Sequence, residues 1–486
     1  MKTFQKLCFA AAICFAAVLT SCKPDVIVQG TTEQILFGPD STQIGDGQKR
    51  FVIKQSHTIK KGVYTMVGWV YVERGATLTI EPGTIIKGSN FSYDGTEAAP
   101  GASLIIKKGA KIIADGTREQ PIVFTSAMPK GQRQASDWGG IIICGEARNN
   151  ATSMTIEGGV EADHGGNNDN DNSGILRYVR IEFGGYPYAA DNEINGLTLG
   201  SVGRGTIIEN IQVSYCGDDS FEWFGGCVNG KYLIAYKGWD DDFDTDNGFS
   251  GKLQFLLSVR DGRIADQSNS NGFESDNNSS GSESEPFTRA IFSNVTIVGP
   301  IATDPNFVNN TDYIDGYGWG ENSGIRPGIY QAAMQIRRNS RISCFNSVAV
   351  GFPVGLMLSN DGRGNTQEAA AEGLLKIKNV YFGGMDLLGA DFDKKNPAEW
   401  SGTISSDYFN TSTLGNRSFA NASDLLNVSS YKPVAGSQLL GNADFSDEFL
   451  NDPYITPVTY IGAFADENDT WANGWTNFDP QNTDYL

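Results

Sequence analysis

The stretch that decides the fold contains one motif three times: Gly217-Asp-Asp-Ser-Phe-Glu222, Trp239-Asp-Asp-Asp-Phe-Asp244 and Ser270-Asn-Gly-Phe-Glu274. Phe221 and Phe243 are 22 residues apart, and Phe243 and Phe273 are 30 residues apart. Such spacings are typical of the coils of a parallel β-solenoid, in which equivalent residues of successive coils stack about 4.8 Å apart. The motif therefore predicts a ladder of Phe side chains inside the solenoid.

The same stacking predicts a column of acids on one edge, formed by Glu222, Asp244 and Glu274. Two carboxylates about 5 Å apart repel by roughly 1 kcal/mol in water and by about 3 kcal/mol at an effective dielectric constant near 20. Such a column needs a cation, a basic partner or raised pKa values to persist. We therefore treat these three acids as candidate ligand-binding residues.

A second repeat lies nearer the start of the chain, at Gly75-Ala-Thr-Leu-Thr-Ile-Glu-Pro-Gly83 and Gly101-Ala-Ser-Leu-Ile-Ile-Lys-Lys-Gly109. Apolar residues at every second position, with glycines at the corners, indicate one strand and turn of a coil. No long amphipathic helix is predicted between Phe51 and Gly384, which argues against a doubly wound α/β fold. We predict an all-β protein, a parallel β-helix with long loops, over residues 51–384.

Three asparagines precede apolar strand patterns, at Asn210, Asn294 and Asn379. Asn tolerates tight corners, and its side chain can bond the backbone of the next coil. Residues 385–486 lose the coil periodicity and contain Tyr460-Ile-Gly-Ala-Phe464 and Trp471-Ala-Asn-Gly-Trp475-Thr-Asn-Phe478. Because the open end of a solenoid must be covered, we interpret this region as a C-terminal aromatic cap.

Residues 1–21 have the pattern of a targeting segment, with Lys2 and Lys6 before the apolar run Leu7–Leu19. The sequence Leu19-Thr-Ser-Cys22 resembles the bacterial lipoprotein box, which implies lipidation of Cys22. Residues 22–50 are then a flexible tether, and the protein is expected on the outer membrane, facing outward. The alternative is a secretory signal followed by an incidental Cys.

The formal net charge of -20 argues against nucleic acid or an anionic membrane surface as a partner. It permits divalent cations, basic proteins and neutral glycans, and it leaves the lipid anchor as the contact with the membrane. With His57 and His164 as the only histidines, a histidine-rich metal site is excluded. Cys216 and Cys227 are near enough in sequence for a disulfide, and buried free thiols are equally compatible.

Calcium is the cofactor that the acidic segments suggest. Asp169 and Asp171 lie with several Asn residues in a polar loop, and such oxygen donors suit calcium. Asp242 and Asp246 resemble the start of an EF-hand, but Asn247 stands where that loop requires Gly, so an EF-hand is rejected. Calcium between coils and a solvated acidic loop both remain open.

A second long excursion, residues 306–330, contains the aromatic residues Tyr317 and Trp319. Exposed aromatic rings of this kind stack on sugars, which makes both residues candidate glycan contacts. The alternative is a loop that packs onto its own coil.

The sequence resembles a group of exported Bacteroidota proteins whose activity is not settled. The resemblance is carried by Leu176-Arg-Tyr-Val-Arg-Ile-Glu-Phe-Gly-Gly185, Asn195-Gly-Leu-Thr-Leu199 and Asn271-Gly-Phe-Glu-Ser-Asp-Asn277, together with the motifs above. It implies a right-handed parallel β-helix at the cell surface. Some members are labelled multidrug transporters, a label that this sequence does not support.

Three functions compete. The leading hypothesis is a surface lipoprotein that binds a ligand or partner, by analogy an accessory of a TonB-dependent outer-membrane receptor. The rival is a polysaccharide hydrolase, for which the candidate catalytic residues are Asp218, Asp219, Asp240 and Asp241, since polygalacturonase-type enzymes carry adjacent Asp residues on one face. The Gly-His-Gly and Arg-Ile-Lys motifs of those enzymes are absent. An adhesin or structural surface protein is the third hypothesis. The acids also suit the capping of coil corners.

Overall fold

The computed structural model describes residues 42–90, 92–93, 98–99, 101–151, 154–189, 192–318, 326–391 and 400–486. These residues confirm the predicted fold, a right-handed parallel β-helix. The predicted signal segment 1–21 and Cys22 lie outside the described residues. Within the described ranges, no helix is both long and apolar enough to cross a membrane.

The β-helix is built from two long parallel sheets, and a shorter group of strands joins the first. The first sheet contains Gln43–Ile44, Val63–Met66, Ile85–Gly88, Ile122–Ser126, Gly174–Glu182, Ile207–Ser214, Gly230–Tyr236, Lys252–Val259, Ile291–Val298, Ser343–Val350, Ile377–Gly383 and Arg417–Phe419. The second sheet contains Phe51–Ile53, Trp69–Val72, Ser103–Ile106, Ile141–Cys144, Leu197–Val202, Phe221–Gly226, Phe243–Asp246, Phe273–Ser275, Ala332–Ile336, Val354–Leu358 and Leu387–Ala390. The joining strands are His57–Ile59, Thr77–Ile80 and Lys111–Asp115.

The remaining elements are short and lie on excursions from the coils. Antiparallel pairs join Ser92–Tyr93 to Ala98–Ala99, Met154–Thr155 to Asp163–His164, Tyr186–Ala189 to Asn192–Ile194, and Leu426–Asn427 to Lys432–Pro433. The α-helices are Pro300–Thr303, Thr366–Ala371 and Ile404–Phe409, and the 3₁₀ turns are Ser412–Leu414, Ala422–Asp424, Glu448–Leu450 and Pro480–Asn482.

The predicted Phe ladder is confirmed. Phe221 pairs in register with Phe243, and Phe243 pairs with Phe273. The ring centroids of these pairs are 5.7 and 5.6 Å apart, and all three side chains are buried in the main core. Each such burial contributes roughly 1.5–3 kcal/mol, so the ladder fixes the register of the second sheet. Side chains that alternate with the Phe residues must face outward.

Each first-sheet strand from Gly174–Glu182 to Ile377–Gly383 is bent by one residue with a positive φ. These residues form one column in register, namely Tyr178, Asn210, Tyr232, Phe255, Asn294, Asn346 and Asn379. The predicted corner position of the three asparagines is therefore confirmed, and Asn tolerates the left-handed region better than most residues.

The bonding partners of those asparagines differ from the prediction. The Asn294 side-chain amide donates to the carbonyl of Tyr460 at 2.9 Å, and the Asn379 amide donates to the carbonyl of Asn442 at 2.8 Å. Asn379 also donates to the side chain of Asn346 in the neighbouring coil. The corner side chains therefore hold the C-terminal segment, residues 430–486, in addition to one another.

The C-terminal segment lies along the side of the first sheet. Gln254 donates to the carbonyl of Thr456 and accepts from its N–H, at 2.8 and 2.9 Å. Gln212 bonds Asn477 in the same two-way manner, at 2.8 Å each. These amide side chains pair with the segment as a neighbouring strand would, so the segment follows the coils sideways.

The aromatic residues of this segment also pack on the side of the β-helix. Trp471 contacts Tyr232 with ring centroids 5.3 Å apart, and Trp475 contacts Tyr178 at 5.9 Å. This position differs from the predicted cover over the open end, because the outward aromatic residues of the bent strands offer an apolar surface there. The last coil is instead contacted by Ile404–Phe409, whose Phe409 ring stacks on Phe382 at 4.4 Å.

We expect Trp475→Ala to lower the free energy of unfolding by about 3–5 kcal/mol, because it empties a fully buried site between the segment and the sheet. Chemical denaturation followed by tryptophan fluorescence and circular dichroism measures this loss. Leu486→Ala is the control, since Leu486 is 92% exposed and its truncation should change stability by no more than about 0.5 kcal/mol. Equal stability of both variants would contradict the packing role of the segment.

Candidate functional site

The outward face of the second sheet carries the predicted acid column. Glu222 pairs in register with Asp244, and Asp244 pairs with Glu274. The column is preceded by Thr198 and followed by Gln335. The stacking of the three acids is therefore confirmed, and it follows from the Phe ladder on the opposite face of the same strands.

A second column stands at the turn before these strands. One carboxylate oxygen of Asp219 accepts the N–H of Asp241 at 2.8 Å, and one oxygen of Asp241 accepts the N–H of Asn271 at 2.5 Å. The Asn271 side chain accepts the N–H of Ala332 at 3.0 Å. Each side chain thus caps the next coil, which confirms the corner-capping role that the sequence suggested for these acids.

Four acids of these columns and the Asp residues that precede Asp219 and Asp241 form what we call the acidic cluster: Asp218, Asp219, Glu222, Asp240, Asp241 and Asp244. Oxygen atoms of Asp218, Asp219 and Asp240 lie within 4.8 Å of one another, and so do those of Asp219, Glu222 and Asp244. Asp219 belongs to both groups. In the part of the chain that the structure describes, no Lys or Arg forms an ion pair with any member of the acidic cluster.

Two further residues border the acidic cluster and were not predicted. The side-chain amide of Asn195 donates to Glu157 at 2.7 Å and also to Glu222. The signal for Asn195 was present, because Asn195-Gly-Leu197 has the same form as Asn271-Gly-Phe273 and lies one coil before Asp219. Glu157 comes from the excursion between Met154–Thr155 and Asp163–His164, and no periodicity points to it.

The structure contradicts the prediction that Asp242 is a calcium ligand. Asp242 is fully buried and forms an ion pair with Arg260 at 2.7 Å, and it also accepts from Ser258. Arg260 is equally buried and lies over the Tyr330 ring. One residue beyond Asp241 along the turn, the side chain is directed into the protein, where Arg260 already neutralises its charge. Asp242 therefore belongs to the core.

The other predicted calcium ligands do not join the acidic cluster either. Asp169 is bound by the guanidinium of Arg148, and Asp171 accepts from the N–H of Gly203 at 3.2 Å. Asp246 lies in register beside Asp276, which pairs with Arg337 at 2.9 Å. Asp169, Asp171 and Asp246 therefore do not form a shared site, because each has different neighbouring groups.

Glu274 ends the acid column next to positive charge. Arg337 forms ion pairs with both Glu274 and Asp276, and Arg338 pairs with Asp276 at 2.7 Å. The column is thus neutralised at its Glu274 end and uncompensated at the Glu222 end. Asp219 lies near the end of the column that has no ion pair among the described residues.

The predicted aromatic contacts are only partly described. Tyr317 is 53% exposed, its hydroxyl donates to Asp261 at 3.0 Å, and its ring lies near the guanidinium of Arg263. Trp319 lies outside the described residues. For the two cysteines, the structure resolves the alternative, since Cys216 and Cys227 are buried free thiols.

Burial raises the pKa of every carboxyl in the acidic cluster well above its ordinary value. For Asp218 the next cause of the raised pKa is the charge of Asp240, and for Asp219 it is the charge of Asp244. The pKa of Glu222 is raised by burial and then by Glu157. Without a cation, the acidic cluster therefore retains protons at a pH where isolated carboxyls have lost them.

Two kinds of chemistry suit this arrangement. Closely spaced carboxylate oxygens bind hard divalent cations, which take about six to eight oxygen ligands. A protonated and an ionised carboxyl side by side can also act as the acid and nucleophile of a retaining glycosidase, where the two groups lie about 5 Å apart. A lyase mechanism is less well supported, because it needs an unpaired basic residue, and Arg260 and Arg337 are already ion-paired.

Comparison with a family model agrees with the fold. Residues 51–476 match the model of a family described as a pectate-lyase-like beta helix domain. Among solved structures, the crystal structure of the Dettilon tailspike protein is similar at 11% identity, with a TM-score of 0.22. That match covers 77% of this chain and 61% of the tailspike chain, so this chain spans less than two thirds of the tailspike's length. No curated protein matches this chain.

We expect Asp219→Asn to stabilise the calcium-free protein at about pH 8 by roughly 1–3 kcal/mol, because it removes one repelling charge and keeps an oxygen for the Asp241 N–H. Folding raises the pKa of these carboxyls, so their contribution to stability is complete below their usual pKa and is lost as the pH rises through the raised values. The advantage of the variant should therefore disappear near pH 4.

Denaturant unfolding in EDTA across this pH range gives the measurement. Comparing the two proteins cancels other titrations, such as that of buried His164, whose pKa is lowered to about 4. A variant less stable than the parent at about pH 8 would show that the Asp219 charge itself supports the fold.

Proposed function

Since the chain belongs to the pectate-lyase-like beta helix domain family, we propose that it binds carbohydrate through divalent cations held by the acidic cluster. The observation that carries this proposal is the pair of carboxylate groups that share Asp219. Each group offers three oxygen ligands within 4.8 Å, and no basic residue of the described chain is ion-paired with them. A bound cation would relieve the repulsion that burial intensifies.

The ligand chemistry favours calcium. Both groups consist of carboxylates alone, with no His or Cys, and such oxygen sets suit Ca²⁺ or Mg²⁺ rather than zinc or copper. Three ligands per group leave coordination positions for water or for sugar hydroxyl and carboxylate oxygens. Calcium tolerates the irregular geometry of side chains from successive coils better than magnesium does.

The position of the acidic cluster supports a glycan as the second ligand. Glu222 and Asp244 stand on the outward side of the second sheet, and the other four acids lie at the turns just before its strands. Successive coils form a continuous surface along the helix axis there. A polymer can lie along such a surface and meet several coils at once. Bound cations would also allow an acidic polysaccharide to approach a protein with a formal net charge of -20.

Hydrolysis of the bound glycan is the second candidate function. It is favoured by the raised pKa values of Asp218 and Asp240 beside other carboxyls, which would supply the proton donor of a glycosidase. The same residues would then be ligands in one case and catalysts in the other.

We expect calcium to bind with a Kd of about 0.1–1 mM and to raise the unfolding free energy by about 2.7 kcal/mol at a hundredfold excess over Kd. Asp219→Asn should weaken binding at least about tenfold, because both groups lose a shared charge. Calorimetry and thermal unfolding with CaCl₂ provide these measurements. Asp312→Asn, which neutralises an exposed carboxylate elsewhere, is the matched control.

Polygalacturonate and neutral galactan added with and without calcium then distinguish the candidates. Calcium-dependent binding with no change in chain length supports the binding function, whereas new reducing ends that disappear in Asp219→Asn support hydrolysis. Calcium affinity that is identical in the parent and in Asp219→Asn would exclude the acidic cluster as the cation site.

The cellular setting proposed for this activity is the outer membrane. Its support is the sequence pattern of residues 1–22, in which Cys22 follows a short apolar run. A lipid-anchored glycan-binding protein facing outward would suit a partner such as a TonB-dependent receptor, to which it would deliver saccharides. The adhesin alternative shares the anchor and the surface location and lacks the receptor.

Cys22→Ala should abolish incorporation of labelled fatty acid and release the protein from the outer-membrane fraction, because the anchor requires that thiol. Purification of the lipidated parent from detergent-solubilised outer membranes tests the partner. Stoichiometric recovery of a β-barrel receptor supports delivery. Recovery of the lipidated protein alone favours the adhesin, and labelling that persists in Cys22→Ala would refute the anchor.

A further inference from the structure

A separate cavity lies between the first sheet and the C-terminal segment. Its volume is about 840 Å³, within the range of roughly 300–1,000 Å³ of small-molecule sites. One wall is a column in register that is formed by the first residues of three first-sheet strands, Lys252, Ile291 and Ser343. The opposite wall includes Phe449 and Tyr454 from the C-terminal segment. The acidic cluster contributes no residue to this cavity.

The lining of the cavity is positively charged in a strongly acidic protein. Arg204, Lys252, Arg289 and Arg341 line it, and Asp452 is its single carboxylate. Lys252 is paired with Asp452 at 3.1 Å and Arg204 with Asp169 at 3.8 Å, which leaves the charges of Arg289 and Arg341 in excess. Charges of one sign that converge on a concave surface raise the local concentration of oppositely charged ligands.

Two of these arginines have no carboxylate partner. Within the described ranges, neither Arg289 nor Arg341 forms an ion pair. The Arg341 guanidinium lies 3.4 Å from the centroid of the Phe287 ring, and its Nε atom is buried without a hydrogen-bond partner. Burial lowers the pKa of Arg341, although Glu283, Glu285 and Glu372 favour its charge from outside ion-pair distance.

The stacking of Arg341 on Phe287 favours the binding of an anion. The ring of Phe287 holds the guanidinium plane in place, which reduces the conformational freedom lost when a ligand binds. A carboxylate or phosphate oxygen in the cavity can accept from guanidinium N–H groups of the arginines that line it. Ile291 and Leu374 supply apolar surface in the same cavity for the body of a ligand.

We propose that this cavity binds an organic anion of about disaccharide size, with its carboxylate or phosphate group held by Arg289 and Arg341. The proposal does not depend on the acidic cluster or on calcium. It gives the protein two sites of opposite charge, one on the second sheet and one beside the first. An acidic saccharide end is the ligand class that fits both the charge and the volume.

The test is calorimetric titration in EDTA, so that the acidic cluster holds no cation. Digalacturonate and glucose 6-phosphate are the anionic probes, galactobiose is the neutral probe and inorganic phosphate tests the anion alone. We expect saturable binding of at least one anionic sugar and none of galactobiose. Arg289→Gln should weaken this binding at least about tenfold, because an exposed guanidinium that faces the ligand is lost.

Arg363→Gln is the matched control, since Arg363 is exposed and lies outside the cavity lining, and it should bind as the parent does. Arg341→Lys keeps the charge but loses the planar donor, so an intermediate affinity is expected. Preference for digalacturonate or for glucose 6-phosphate identifies the anionic group.

Absence of saturable binding of all anionic probes would overturn the proposal, as would an affinity unchanged in Arg289→Gln. Binding of inorganic phosphate as tight as that of both sugar anions would also overturn the saccharide assignment. Asp219→Asn should leave these affinities unchanged, which separates this site from the calcium site. Melting temperatures of all variants establish that they are folded.

Discussion

The parallel register of the second sheet, fixed by the buried Phe221–Phe243–Phe273 ladder, is the constraint from which the site follows. In a parallel solenoid, neighbouring residues of a strand share one register. When the inward residues of successive coils stack, their outward neighbours therefore stack as well. The apolar gain on one face therefore sets the spacing of Glu222, Asp244 and Glu274 on the other. The protein cannot separate these carboxylates without breaking the ladder.

The turn before each of these strands also contains acids, and they have a structural role. Asp219 and Asp241 each use an oxygen to hold the next coil through its N–H, so these acids cannot be regarded as purely functional or purely structural. An Asn side chain does the same work at position 271 without charge. The presence of Asp at two of these three levels therefore adds charge that coil capping does not require, and the proposed cation site would use this charge.

The features that the sequence predicted well are those set by period alone. Spacing predicted the Phe ladder and the acid column, and a shared motif predicted the tight corners at Asn210, Asn294 and Asn379. Prediction from spacing failed where a shift of one residue, or a segment distant in sequence, determines where a side chain lies. Asp242 adjoins Asp241 yet is directed inward to Arg260, and Glu157 reaches Asn195 from an excursion with no repeat. The position of the C-terminal segment depends on side chains such as Gln254, whose partners lie some two hundred residues away.

The path of that segment changes how the coils depend on one another. In a simple solenoid, each coil contacts only its neighbours, so the ends can open independently. Here Asn442 bonds Asn379 in a late coil, whereas Pro480 bonds Arg133 in an early one. Coils that never touch are thus held by one continuous piece of chain, and opening any of them disturbs a partner common to the rest. Moreover, the early coils lack this partner until residues near Pro480 have been synthesised, so their folding depends on a segment made 347 residues later.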